Sequence, residues 1–410
     1  MDTQPTDATS ADTTREYPYP EATECPYAFY DKIRGTSPVH KVPGQDVHFL
    51  ALREDVLYAL EHPDVFSNIG RNPGTPLEAK VMPSGVEVRT MLDSDPPTQA
   101  QHKQFVLKHF NQKVFRENAP AIRAIVDELI DGFIAKGECD FVSEFADRLP
   151  ELVICHLLDL PRDVKSRITE WGRLETSGVR FFPPERKALQ EKVLVSLASY
   201  SRELVLERHR KLGDDMLSRM IRAQIERDGV FEPDYLTQTL AVLITAGLLT
   251  TALMLSHGMR LLLDHPDQME KVRADFSLIP NMVEEVIRIE SPAQWIPKRV
   301  AKDHELKGVT LPANSHVCVG LAAANREEAV FPDADRFDIR RANAASHVAF
   351  GKGIHFCMGA PLARLEGQIA FEQLFSRLKN IRFGPDNDFQ HFDSPSFRGL
   401  KKLHLRFDRA

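Results

Sequence analysis

Along much of the chain between residues 98 and 263, apolar side chains recur at three- and four-residue steps, the signature of a helix with one buried face. The pattern predicts helices over 98–111, 117–136, 143–158, 162–176, 186–211, 214–227 and 234–263, with others at 54–62, 280–290 and 360–378. Within 186–211, Val193, Leu197, Tyr200 and Leu204 mark a core-facing stripe. Alternation of period two is confined to short stretches: a hairpin over 40–52, extended segments at 298–300, 309–311 and 316–321, and a terminal strand at 402–407. Residues 70–97 are rich in Gly and Pro without strong periodicity and read as a long loop, of the kind that binds or covers ligands. The region 325–355 has mixed turn chemistry. No internal repeat, low-complexity linker or glycine-rich phosphate loop stands out. The expected fold class is mainly α with small β-sheets, a single domain over 17–410 behind a polar, threonine-rich leader at 1–16 that reads as disordered.

One segment invites a different reading. Residues 235–256 carry no charged side chain, matching the ~20 residues a bilayer crossing needs. Yet Thr237, Gln238, Thr239, Thr245, Thr250, Thr251 and Ser256 interrupt it, so a helix buried within a large protein fits better. Composition agrees. With 42% hydrophobic and 27% charged residues in 410, the chain is an ordinary globular one, and its net charge of -7 argues against nucleic acid and anionic membranes as partners. Five cysteines, Cys25, Cys139, Cys155, Cys318 and Cys357, are odd in number and widely spread, which does not fit a disulfide framework. A reducing cytoplasm is the simpler expectation, and residues 1–16 lack the apolar core of a signal peptide.

The chemistry concentrates in Phe350-Gly351-Lys352-Gly353-Ile354-His355-Phe356-Cys357-Met358-Gly359, followed by Ala360-Pro361-Leu362-Ala363-Arg364. Glycines at 351, 353 and 359 allow positive φ or close backbone approach. Cys357 sits just before a helix with Pro361 in its first turn. A thiolate there gains from the helix N-terminus and from amides pointing at sulfur, the environment of a soft metal ligand. A lone buried Cys is more often a small hydrophobe; the glycine frame favours the ligand.

This stretch closely resembles the haem-binding loop of the cytochrome P450 family, soluble bacterial type, and the resemblance extends over about residues 24–408. It implies a cytochrome P450 fold around a buried haem b and a monooxygenase that inserts one atom of O2 into a small, largely apolar molecule. By that resemblance Cys357 ligates iron, Phe350 and Gly351 enclose the sulfur side, and His355 reaches a haem propionate. Glu285-Val286-Ile287-Arg288 is similar to the family's Glu-x-x-Arg pair; Arg341, or else Arg340, is the expected third member, in a structural role. Arg299 resembles the propionate arginine. In Ala246-Gly247-Leu248-Leu249-Thr250-Thr251, Ala246 and Gly247 make room for oxygen and Thr250 assists its activation; alternatively Thr250 only back-bonds to its own helix.

Two departures from the family pattern stand out. Leu249 replaces the usual carboxylate, and Gln99 and Lys103 stand where a His and an Arg usually contact propionates; His102 is a possible substitute. Substrate is expected against Phe181, Phe182, Leu243, Gly247, Leu249, Trp295, Ile296 and Phe397, bounded by 70–92, 178–184, 243–247, 294–296 and 394–397, although aromatic residues are more often core than pocket. With no fused electron-transfer domain in sequence, a ferredoxin and a ferredoxin reductase are the expected donors, docking on Lys103, Lys108, Lys113 and Lys352; scattered solvated lysines are the plainer reading. Two alternatives remain: a peroxide-driven or oxidative-coupling haem-thiolate enzyme, and a non-catalytic haem-binding recruitment module.

Overall fold

The computed structural model describes residues 17–19, 25–72, 77–160, 167, 171 and 181–410. Helices form where the apolar stripes predict them: Arg53–Glu61, Arg148–Leu158, Pro184–Arg210, Met216–Asp228, Ile279–Ile289 and Ala360–Arg377. The Pro184–Arg210 helix buries Val193, Leu197, Ser201, Leu204 and Val205, while Tyr200 is half-buried at the edge of the stripe. The expected leader at 1–16 lies outside the described residues, as does the helix expected at 162–176 apart from Arg167 and Trp171.

Two long helical expectations break at identifiable residues. The first, expected over 98–111, stops at Leu107, and a separate short helix, Gln112–Glu117, stands before Ala119–Ile134; the Asn111 side chain starts it by accepting from the amides of Lys113 and Val114 at 3.0 and 3.2 Å. The second resolves into Pro233–Ala246 and Leu248–Asp264. The interruption falls at Gly247, the residue with the weakest helix preference in the run. The sequence pattern did not anticipate the helices Tyr27–Thr36 and Pro266–Ala274, nor the strands Phe66–Ser67, Glu138–Asp140 and Leu378–Phe383.

The hairpin expected over 40–52 is Val39–Lys41 against Val47–Leu50, with Val39 opposite Leu50. Val47–Leu50 continues in parallel to His316–Val319, which pairs antiparallel with Ile296–Val300. This completes a five-stranded sheet with Phe66–Ser67 at its far edge. His404–Arg409 pairs with both Glu138–Asp140 and Leu378–Phe383 in a second sheet, and His304–Leu306 with Val309–Leu311 in a third.

The Leu248–Asp264 helix is the spine of the helical layer and packs against Arg148–Leu158, Ile279–Ile289 and Ala360–Arg377. The run 233–264 is long and apolar enough to cross a bilayer, but 61% of its most apolar window is buried inside the fold. It is a core helix. Residues 251–259 are buried without exception.

The Glu285–Arg288 pair is fully buried, with Arg288 Nε and Nη2 donating to the two carboxylate oxygens at 2.7 and 2.8 Å. Arg341 Nε joins Glu285 at 3.0 Å, whereas Arg340 is exposed. Both arginines spend their remaining donors on carbonyls of the 325–336 segment: Asn325, Ala334 and Arg336 for Arg288, and Pro332, Asp333 and Arg336 for Arg341. The charges are thereby paired and hydrogen-bonded, the condition under which burial is tolerated. The meander before the cysteine loop is held to the Ile279–Ile289 helix by this knot.

Candidate active site

The loop from Phe350 to Gly359 is shaped by its glycines. Gly351 and Gly353 adopt φ of +72° and +68°, and a Cβ at Gly353 would stand 3.1 Å from the Leu60 carbonyl. The Cys357 amide donates to the Phe350 carbonyl at 3.0 Å, closing the loop on itself. Cys357 keeps an exposed face. Burial of its surroundings pushes the thiol up, while the amides of Gly359 and Ala360, then the charges of Arg364 and Lys103, oppose that shift by favouring thiolate. Phe350 lies under the Arg364 guanidinium, whose Cζ is 4.6 Å from the ring centroid.

Beside the loop is a cluster of cations around His355. Burial, then the charges of Lys298, Arg71 and Lys103, push His355 down to about 3. Its Nε2 is buried and meets no hydrogen-bond partner, and the same holds for Lys298 Nζ. Lys298 is 1% exposed, and burial lowers it to about 8 against the opposing pull of Asp95. Arg71 is engaged by Asp93 at 2.8 Å. A buried lysine donor and an imidazole nitrogen, both without partners in a positive field, are what an anionic group would engage, the imidazole by taking up a proton.

Lys298, not Arg299, therefore carries the buried cation of this strand. Arg299 faces the other way, as strand alternation requires, donating to the Ile69 carbonyl at 2.7 Å and to Asn314 Oδ1 at 2.9 Å. The expectation placed on Arg299 is corrected by one position. The signal was present: Ile296 and Lys298 share a face by period two, and Ile296 was already placed toward the ligand. Gln99 and Lys103 converge on one acceptor, the Ile354 carbonyl, each at 2.7 Å. Both brace the cysteine loop directly. His102 does not take part, since it hydrogen-bonds the Glu87 carbonyl at 3.0 Å, stacks on Tyr235, and is held neutral, near 4, by burial.

On the long internal helix, Ala246 is exposed and Gly247, Leu249 and Thr250 are half-buried, in contrast to the sealed turn that follows. Thr250 Oγ1 donates to the Ala246 carbonyl at 3.2 Å, the local back-bond, which leaves its oxygen able to accept. Leu249 lines a cavity of about 610 Å3 together with Leu253, Asp147, Glu151, Glu185 and Arg186. Ile296 and Phe397 keep open surface, while Leu243 is nearly closed off. The Phe397 turn is tied to the strand entry by a bridge between Ala293 and Phe397.

The aromatic expectations fare differently. Trp295 and Phe181 stand edge to face, 5.7 Å apart, inside the core cluster built by Tyr17, Tyr30 and Phe49, and Trp295 Nε1 donates to the Pro395 carbonyl at 2.5 Å. Phe182 is buried beneath Arg186. These three rings pack the protein interior; the plainer reading of aromatic residues holds for them. Residues 178–180 lie outside the described residues.

The donor set fits haem: a thiol approached by two amides for the iron, and orphaned lysine and histidine nitrogens for carboxylate-bearing edges. Comparison with known proteins agrees. The Cytochrome P450 family profile matches residues 176–397. The chain is 34% identical to 6-deoxyerythronolide B hydroxylase of Saccharopolyspora erythraea, over 93% of this chain and 96% of that one. It is also 34% identical to cytochrome P450 monooxygenase PikC of Streptomyces venezuelae, over 94% and 92% respectively. Among solved structures, the cytochrome P450 enzyme CxnD, for C–S bond formation in chuangxinmycin biosynthesis, superposes with a TM-score of 0.84 at 34% identity, covering 94% of this chain and 95% of that one. The chain belongs to the cytochrome P450 family and is a haem b-dependent monooxygenase acting with O2 on small organic molecules.

Proposed function

We propose that this chain hydroxylates a largely apolar organic molecule, with Cys357 as iron ligand and Thr250 on the oxygen side. The thiolate-ligated haem supplies oxygen activation, its sulfur favouring O–O cleavage. The protein's share is positioning. The Gly359 and Ala360 amides favour the thiolate form of Cys357 against its burial, Lys298 and His355 would pair with the propionates, and Gln99 and Lys103 fix the loop that carries Cys357. Ala246 and Gly247 leave space at the break in the long helix, and Thr250 presents a hydroxyl there. Leu249, Ile296 and Phe397 offer apolar surface to substrate. The observation that carries this reading is the exposed Cys357 sulfur with two amides directed at it.

Electrons are assigned to an acidic ferredoxin and its reductase. The support is a loop face with half-exposed Lys103, exposed Lys108, Lys113 and Lys352, and the exposed ring of Phe356. A cytoplasmic setting is assigned with them. A second reading, oxidative coupling, draws support from the C–S bond-forming neighbour and from Leu249 in place of a carboxylate. Titration of apolar ligands followed by the iron spin-state change tests the substrate class. Hydrocarbon-rich ligands are expected to displace the distal water at low concentration; a response confined to strongly polar ligands overturns it. Product analysis with redox partners, set against peroxide alone, separates hydroxylation from coupling.

A further inference from the structure

Glu284 is not part of the Glu285 knot although it adjoins it. It turns to the cysteine side of the Ile279–Ile289 helix, 8% exposed, and gathers two groups that flank Phe350. Arg364 binds it in bidentate fashion, Nε to Oε1 at 2.5 Å and Nη2 to Oε2 at 2.9 Å. His347 Nε2 stands 3.2 Å from Oε2. The His347 Nδ1 accepts from the Ala349 amide at 3.2 Å, so in the neutral ring the proton lies on Nε2. The same two side chains enclose Phe350: the Arg364 guanidinium at 4.6 Å and the His347 ring at 5.5 Å from its centroid. Phe350 in turn accepts the Cys357 amide. Arg364 and His347 hold the Glu284 carboxyl down near 2, so it carries its charge at any working pH.

We propose that Glu284 is a positioning residue that sets the reduction potential of the haem-thiolate, by neutralising Arg364 and fixing Phe350 against the cysteine loop. The inference rests on Cys357 being the iron ligand. When one electron passes from a reduced donor to ferric haem, the centre gains one negative charge. An unneutralised Arg364 would stabilise that added charge, and Glu284 cancels the effect. The pair forms part of the lining of an open surface cleft with Ser277, Asn281, Ala345 and Gln368, so solvent screens it in part.

The test is a mediated redox titration of the haem-loaded protein. Glu284→Gln is expected to raise the potential, favouring ferrous haem by roughly threefold to tenfold, at about 59 mV per factor of ten for one electron. Arg364→Met is expected to lower it, Arg364→Lys to leave it near wild type, and the Glu284→Gln/Arg364→Met double variant to return toward wild type. Each variant is first shown to keep the thiolate-type Soret band of its reduced carbon-monoxide complex. Unchanged potentials in both single variants overturn the proposal. Should Glu284→Gln fail to load haem, Arg364→Met decides alone: a lowered potential upholds the proposal and an unchanged one overturns it. Absence of the thiolate band in wild type overturns the Cys357 reading itself, and the proposal with it.

Discussion

Replacing Lys298 by methionine separates a functional cation from a structural one, because it should make the haem-free protein more stable and the haem-loaded protein weaker. Methionine keeps the length of the side chain and removes its charge. Lys298 is lowered from 10.5 to about 8 by burial. At ~1.36 kcal/mol per pH unit, the folded haem-free chain bears about 3 kcal/mol for holding it charged at pH 7. The unfolded chain keeps this proton up to about pH 10.5, the folded chain only to about 8. Between those values the unfolded state binds more protons, so wild-type stability rises with pH, while below 8 the full penalty persists.

Lys298→Met should therefore stabilise the haem-free protein by up to about 3 kcal/mol at pH 7, with the gain shrinking from pH 8 to 10.5. Chemical denaturation across that range measures it. Haem release to a competing apoprotein should meanwhile accelerate by on the order of tenfold or more, since a hydrogen bond to a charged group contributes about 1.5–3 kcal/mol. Asp95, Arg71 and His355 face the same side chain, so each must be left intact in the comparison. Arg299→Met serves as the contrast and should leave haem release near wild type. The reasoning is refuted if Arg299→Met releases haem faster and Lys298→Met does not.

Further outcomes follow from the buried charges and the altered helix. Glu285→Ala strands two arginines inside the protein, expected to cost ~3–5 kcal/mol; it should yield little folded, haem-loaded material, and normal expression with full haem content would contradict the role of the knot. Leu249→Asp places a carboxylate beside the cavity that Arg186 lines. If the natural substrate supplies a hydroxyl, amine or carboxyl group that organises protons near Thr250, the variant should improve coupling of reduced nicotinamide to product only for analogues lacking that group. Proton delivery is commonly worth ~10²–10⁴ in rate, so good wild-type coupling on a pure hydrocarbon, without any gain in the variant, ends the idea.

How much of this was legible in the sequence varied with the physics involved. The cysteine loop was legible because glycine at 351 and 353 is forced by positive φ, and such constraints leave a dense pattern. The Glu285–Arg288 pair was legible as an i, i+3 spacing, while its third member was legible only to within the adjacent Arg340 and Arg341, of which packing selects Arg341. Lys298 was missed, and Arg299 named in its place, for a different reason. Adjacent strand residues point to opposite faces, so an error of one position exchanges a buried cation for one tied to Asn314. Burial also hid the state of His102, whose stack on Tyr235 joins distant segments. Phe181 and Trp295 looked like pocket residues by type; only three-dimensional packing shows that they fill a core. The break at Gly247 was obscured because hydrophobic periodicity runs through it unchanged.

The central claim is that Cys357 ligates haem iron as thiolate, and the spectrum of the reduced carbon-monoxide complex tests it most directly. Wild type should show the strongly red-shifted Soret band that thiolate ligation produces. Cys357→Ser should lose that band even where haem remains bound, since the serine oxygen cannot donate electron density as sulfur does. Persistence of the band in Cys357→Ser would contradict the assignment.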